Sequence, residues 1–119
     1  MNLIKLTQQN FDEIIAKHSL VIIDFWATWC GPCKSFEKVV KEVAKNHPQV
    51  VFGAVDIDAE RELAKEFDIL SVPSVMILRD RVIVFAQSGA LTVGALDDLI
   101  QKAKAIDIAQ LKAAEKNSR

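Results

Sequence analysis

Eight consecutive residues, Leu20-Val-Ile-Ile-Asp-Phe-Trp-Ala27, are apolar at every position but one. A short, continuous run rich in branched side chains suits a central strand covered on both faces. The exception is Asp24. A carboxyl inside an apolar strand loses its hydration, so its pKa should rise. Alternation along the strand puts Asp24 on the face shared with Ile22 and Trp26.

The rest of the chain supplies what covers such a strand. Leu3–Leu6 reads as a short edge strand. Asn10 and Glu13 form a capping-box pattern around Phe11, Ile14 and Ile15 at helical spacing, predicting a helix that ends near His18. Phe36, Val39, Val40 and Val43 mark a second helix to about Asn46, punctuated by His47-Pro48. Val50–Asp56 is again strand-like, and Ala59–Phe67 is a short helix with Leu63, Ala64 and Phe67 inward. Val75–Leu78 and Val82–Phe85 flank Arg79-Asp80-Arg81 as a tight hairpin. Thr92–Ala105 closes the pattern as a helix carrying Leu96, Leu99, Ile100 and Ala103.

The order β-α-β-α-β-α-β-β-α implies parallel βαβ units with right-handed crossovers and helices on both sheet faces. The predicted fold class is α/β, a three-layer α/β/α sandwich on a mixed central sheet. Residues 1–105 form this domain and 106–119 a C-terminal extension. There Asp107 and Gln110 make a second capping box, with Ile106 and Leu111 as its hydrophobic staple. A break near Ile106 and a short extra helix to about Glu115 follow, a frayed solvated end being the alternative.

Directly past the buried strand, where a helix begins, stands Trp29-Cys30-Gly31-Pro32-Cys33-Lys34. Reactive groups in open α/β sheets gather at the carboxyl ends of strands. A cysteine at a helix N-terminus meets unpaired N–H groups and the positive end of the helix dipole, and both favour thiolate over thiol. Cys30 holds that position and is expected to be the more exposed of the two. Cys33, three residues on, lies on the same helix face. A Cys30 thiolate is therefore suited to attack a substrate disulfide, and Cys33 to resolve the mixed disulfide. Pro32 fits the first helical turn, where its missing N–H is no loss.

The rival reading of such a pair is a metal half-site, which needs two further ligands. There is no other cysteine, and His18 and His47 lack paired spacing, so no metal is expected. A metal bridged between two subunits stays as the alternative. Both histidines fall at helix C-terminal ends, where a cation is stabilising. A staple is equally unhelpful here, because a bridge between residues this close closes almost no loop.

Residues Met1–Leu6 are followed at once by polar Thr7-Gln-Gln-Asn10, with no apolar leader region. No stretch nears the ~18 apolar residues of a spanning helix. The expected location is the cytoplasm, unless a leader has been removed, and stable disulfides are disfavoured there. The chain's 119 residues, half of them apolar, suit one globular domain. A net charge of −1 lacks the basic bias of a nucleic-acid binder.

Asp24-Phe-Trp-Ala27 followed by Trp29-Cys30-Gly31-Pro32-Cys33-Lys34 resembles the active-site signature of the thioredoxin family. Val72-Pro73-Ser74-Val75 is similar to the family's cis-proline loop, and Gly89 stands near where the family carries a glycine beside the site. The resemblance spans Leu3 to Ala105 and implies the thioredoxin-like version of the predicted sandwich. It implies a cis bond before Pro73, which costs only ~0.5–1 kcal/mol at proline. It also implies that Asp24 lies beneath Cys33 and accepts its proton, directly or through water. The backbone of Val72 would meet an extended substrate segment, with Trp29 and Gly89 on the same substrate-binding rim and Trp26 packed beneath it.

Gly31-Pro32 resembles the reducing members of this superfamily. Oxidases and isomerases commonly carry a histidine there, and its charge would stabilise the thiolate and make the pair more oxidising. The resemblance therefore implies a general reductant of protein disulfides whose working group is the Cys30–Cys33 redox disulfide, with no bound cofactor. Electrons would come from NADPH through a flavin-dependent thioredoxin reductase. The partners would be that reductase and disulfide-containing proteins, met by a monomer, with neither nucleic acid nor membrane involved. The alternatives are a specialised oxidase or isomerase, or a docking subunit using the surface of Trp29, Val72 and Gly89. Three places depart from a pattern common in the family: Lys38 stands where many members have a helix-kinking proline, Ala54 where many have a lysine facing the buried aspartate, and Asp80-Arg81 where a hairpin glycine is frequent.

Overall fold

The computed structural model describes residues 3–117. Its elements are β1 (Ile4–Lys5), α1 (Phe11–Lys17), β2 (Leu20–Trp26), α2 (Gly31–Ala44), β3 (Val51–Asp56), α3 (Arg61–Glu66), β4 (Ser74–Arg79), β5 (Val82–Ser88), α4 (Val93–Lys104) and α5 (Ile108–Asn117). The order matches the expected one, and the five strands form one mixed sheet in the order β1-β3-β2-β4-β5.

The apolar run occupies the centre of that sheet. β3 lies parallel on one side of β2, and β4 antiparallel on the other. Strand alternation then splits the core in two. Leu20 and Ile22, with Phe52, Val75 and Ile77, pack under Phe36, Val40 and Val43 of α2 and under Leu96 and Ile100 of α4. Val21, Ile23 and Phe25, with Val55 and Met76, pack against Phe11 and Ile15 of α1 and Leu63 of α3. Each fully buried side chain of this kind contributes roughly 1.5–3 kcal/mol relative to exposure. Asp24 shares the α2 face with Ile22 and stands in register between Ala54 and Val75.

Local chemistry moved several boundaries. The Asn10–Glu13 capping box does not form. Asn10 Oδ1 instead accepts from the Thr7 N–H at 2.7 Å and its Nδ2 donates to the Lys5 carbonyl, while Glu13 pairs with Lys17. The helix predicted from Ala59 begins at Arg61, because the Asp56 carboxylate takes the N–H groups of Asp58 and Ala59 in a preceding turn. The hairpin turns on Asp80-Arg81, both with positive φ (53° and 72°). The primed two-residue turns that match strand twist require that conformation.

With Lys38 in place of a proline, α2 runs unbroken. His47, just past the end of α2, is buried against α4. Its Nε2 meets Asp97 Oδ1 at 2.7 Å and its Nδ1 meets the Lys104 ammonium at 2.6 Å. The ammonium has only protons to offer, so Nδ1 accepts and Nε2–H donates.

The capping residue of the extension works as read: Asp107 Oδ1 accepts from the Gln110 N–H at 3.1 Å. An ion pair between Lys112 and Asp80 at 3.0 Å joins α5 to the hairpin turn. Lys112 is largely exposed, and such pairs are worth at most about 1 kcal/mol. We propose that residues 1–105 are the folding unit. A chain ending at Ala105 is then expected to unfold cooperatively and lose no more than about 1 kcal/mol, read as a Tm drop below about 8 °C. A larger drop in a thermal melt would make the extension part of the domain.

Candidate active site

β2 ends at Trp26, and a short turn carries the chain over the sheet's edge into α2. Cys30 is the N-cap residue of that helix, with extended backbone (φ −95°, ψ 107°). Its Sγ accepts the Cys33 N–H at 3.2 Å, so one of the orphan donors of the first turn points at the sulfur. Cys30 and Cys33 are joined as a disulfide, their Cα atoms 5.3 Å apart. Gly31 and Pro32 complete the first turn, and a Cβ added at Gly31 would touch nothing within 4 Å.

One expectation changes. Cys30 is not appreciably more exposed than Cys33: their relative exposures are 4% and 3%. Ala27 forms a small apolar cluster with both cysteines, and Trp26, Ile57 and Val72 pack against it. What separates the two sulfurs is position. Cys30 caps the helix, whereas Cys33 lines an inner cavity of about 70 Å³ together with Asp24, Lys34 and Glu37.

Asp24 is 2% exposed, and its Oδ1 has no hydrogen-bond partner among the described residues. Burial, and secondarily the negative charge of Glu37, push its carboxyl up from the ordinary 3.8 to about 7. The β3 residue in register with it is Ala54, which brings no cation.

The Val72–Pro73 bond is cis. Gly89, at the far end of β5, donates its N–H to the Pro73 carbonyl at 2.8 Å. Its φ of +99° is open only to glycine at low cost, so this residue is fixed by conformation as well as by contact. The structure thus brings Asp24, Cys30, Gly31, Pro32, Cys33, Val72, Pro73 and Gly89 to one end of the sheet. Trp29 stands beside them, 69% exposed.

Three contributors escaped the sequence reading. The Trp29 indole Nε1–H donates to Asp58 Oδ2 at 2.8 Å, which fixes the ring. Ile57 packs on the cysteines and donates its N–H to the Trp26 carbonyl. Both follow β3, which is parallel to β2, so the segment after Asp56 had to emerge at the same edge as Cys30. That was the available signal. Glu37, one turn beyond Cys33, is the third.

Comparison with known proteins converges on one family. The thioredoxin family model matches residues 2–102. A thioredoxin 2 of Streptomyces coelicolor is 47% identical over 111 residues, which cover 93% of this chain and 83% of that protein. The structure of a mutant thioredoxin from Halobacterium salinarum matches with a TM-score of 0.82 at 27% identity, covering 89% of this chain and 94% of that one. The bifunctional thioredoxin reductase/thioredoxin of Mycobacterium leprae is 33% identical over 95 residues, 76% of this chain and 21% of that longer protein.

The buried carboxyl predicts a pH dependence of stability. Asp24 has a higher pKa folded than unfolded, so the native state holds the extra proton between the two values. Stability is therefore greatest below the unfolded value and falls as pH rises toward about 7. Asp24→Asn is expected to match wild type near pH 4 and to be more stable by about 4 kcal/mol at pH 8. Urea unfolding at the two pH values measures it; equal stability at pH 8 would contradict the assigned burial cost.

Proposed function

This chain belongs to the thioredoxin family, and on that premise we propose distinct chemical roles for the residues gathered around its disulfide. The chain is a protein disulfide oxidoreductase, and its redox-active group is the Cys30–Cys33 pair. In the proposed cycle the reduced Cys30 is a thiolate, stabilised by the helix N-terminus and the Cys33 N–H. It attacks one sulfur of a substrate disulfide. That bond breaks, the departing sulfur takes a proton from solvent, and Cys30 is left joined to the substrate.

Cys33 then gives its S–H proton to the ionised Asp24 and attacks the Cys30 sulfur. The Cys30–Cys33 bond forms as the bond to substrate breaks, and the second substrate sulfur leaves as a thiolate that takes a proton from solvent. Two electrons have passed from the dithiol to the substrate. The observation that carries these roles is the cavity shared by Cys33 and Asp24 but not by Cys30. The exposed Trp29 ring, the Val72 backbone beside the cis bond and Gly89 form the rim on which an extended substrate segment would lie.

Gly31-Pro32 puts no charge beside the sulfurs, which suits a reductant. Recharging by NADPH through a flavin-dependent thioredoxin reductase fits this role, and the Mycobacterium leprae relative carries both names on one chain. The cytoplasm is the proposed location, as a reducing compartment favours the dithiol. No described helix is long and apolar enough to cross a membrane.

Reduction of a generic protein disulfide tests the roles. Wild type is expected to turn over, Cys30→Ser and Cys33→Ser not to, and Cys33→Ser to trap substrate on Cys30. A trapped adduct in the Cys30→Ser protein instead would reverse the assignment, and absent turnover by a correctly folded wild type would favour docking. The space at Gly31 allows a second test. Gly31→His should fold normally and raise the reduction potential by about 30 mV or more, as a histidinium there stabilises the reduced form. An unchanged potential at redox equilibrium with glutathione would remove Gly31 from the tuning residues.

A further inference from the structure

Glu37 lines two cavities. The inner one, about 70 Å³, is lined by Asp24, Trp26, Thr28, Cys33, Lys34 and Glu37 among others. The outer one, about 390 Å³, opens between α2 and the β1–β3 edge, with Lys5, Lys41, Ala54, Asp56 and Glu60 on its walls. Among the described residues only Trp26 and Glu37 line both, so Glu37 is the one ionisable side chain of these that is common to the two.

The inner cavity is large enough for water, which needs only about 10–15 Å³ of such space per molecule. It is also the polar surrounding of Asp24, whose Oδ1 has no hydrogen-bond partner among the described residues. Glu37 follows Cys33 by four residues on α2, so the two project from one helix face. Half of its side chain is in solvent, and Lys41 meets it at 3.4 Å on the outer side. The in-register neighbours Ala54 and Val75 place no cation opposite Asp24 on either flanking strand.

We infer that Glu37 is the outer carboxylate of a proton path from Cys33 through Asp24 to solvent, and that it acts on the resolving step through Asp24. The proton that Cys33 gives to Asp24 passes along the inner cavity to the Glu37 carboxylate, which releases it to bulk water. Asp24 is thereby ionised again for the next turnover. While ionised, Glu37 also repels negative charge on Asp24, the direction in which the Asp24 carboxyl is shifted. The other charged groups around the path are Lys34 and Lys41 on α2, Asp56 on β3, Lys5 on β1, and Glu60 ahead of α3. None of them lines both cavities.

The inference rests on Asp24 as proton acceptor for Cys33. Its test uses the full chain and reads Asp24 directly, by the carboxyl carbon shift in an NMR titration. Glu37→Gln is expected to lower the Asp24 midpoint from about 7, by roughly half a pH unit to one unit, the scale of a charge pair screened by water. The pH profile of mixed-disulfide resolution should move the same way, and Glu37→Asp should restore it. In an Asp24→Asn background Glu37→Gln should change nothing further. An unmoved midpoint overturns the inference alone. A profile shift that survives in the Asp24→Asn background also overturns it. A resolving rate indifferent to Asp24→Asn overturns the acceptor reading, and this inference with it. Glu37 is exposed, so thermal melts should confirm that each variant folds.

Discussion

An ionisable carboxyl held in the middle of an apolar strand is the constraint around which this molecule is arranged. Asp24 sits in the central strand, between an alanine and a valine in register, and among the described residues its Oδ1 keeps no partner. The ionised form costs several kcal/mol there. The strand tolerates that cost because β2 is buried along nearly its whole length, packed on both faces by separate apolar clusters. A less central strand would lose too large a fraction of a marginal stability to hold such a group.

Topology brings the remaining parts to Asp24. β2 and β3 run parallel, so their carboxyl ends share one edge; β4 runs antiparallel to β2, so its beginning lies there too. The turn after β2 supplies Trp29 and the cysteines, the turn after β3 supplies Ile57 and Asp58, and the approach to β4 supplies Val72 and Pro73. β5 returns antiparallel to β4, which places Gly89 against Pro73. Four chain segments distant in sequence thus converge without any long loop. The Gly89 and Asp58 hydrogen bonds then fix backbone and indole where packing alone would leave them loose.

Most of the fold was legible because its signals are local. The continuous run at Leu20–Trp26, the periodic apolar positions of α2 and α4, and the turn at Asp80-Arg81 each declare their element within a few residues. The misreadings came where two local interactions compete for one group. Asn10 could cap α1 or close the turn before it, and Asp58 and Ala59 could open α3 or give their N–H groups to the Asp56 carboxylate; only the assembled sheet decides. In the site, the cysteines and Asp24 stood out because a reactive pair and a buried charge conflict with their surroundings. Asp58 and Glu37 are ordinary surface carboxylates by composition. Their roles depend on what the fold sets opposite them, an indole in one case and a cavity mouth in the other. Relative exposure of the two sulfurs was likewise a tertiary property, set by Ile57 and Val72.

In the proposed role of proton acceptor, the charges near Asp24 decide what kind of base it would be. An ordinary carboxylate taking a proton from a thiol of pKa about 8.5 would face an uphill transfer of about 6 kcal/mol. With the acceptor near 7, the uphill gap narrows to about 2 kcal/mol. A cation on β3 facing Asp24 would pull its pKa down and widen that gap again. Ala54 at that place and the Glu37 carboxylate work in the opposite direction, and Lys41 pairs with Glu37 at 3.4 Å. The absence of a facing cation and the presence of the Glu37 carboxylate thus act in one direction on Asp24, and in the proposed cycle both bring the acceptor closer to the thiol it would serve.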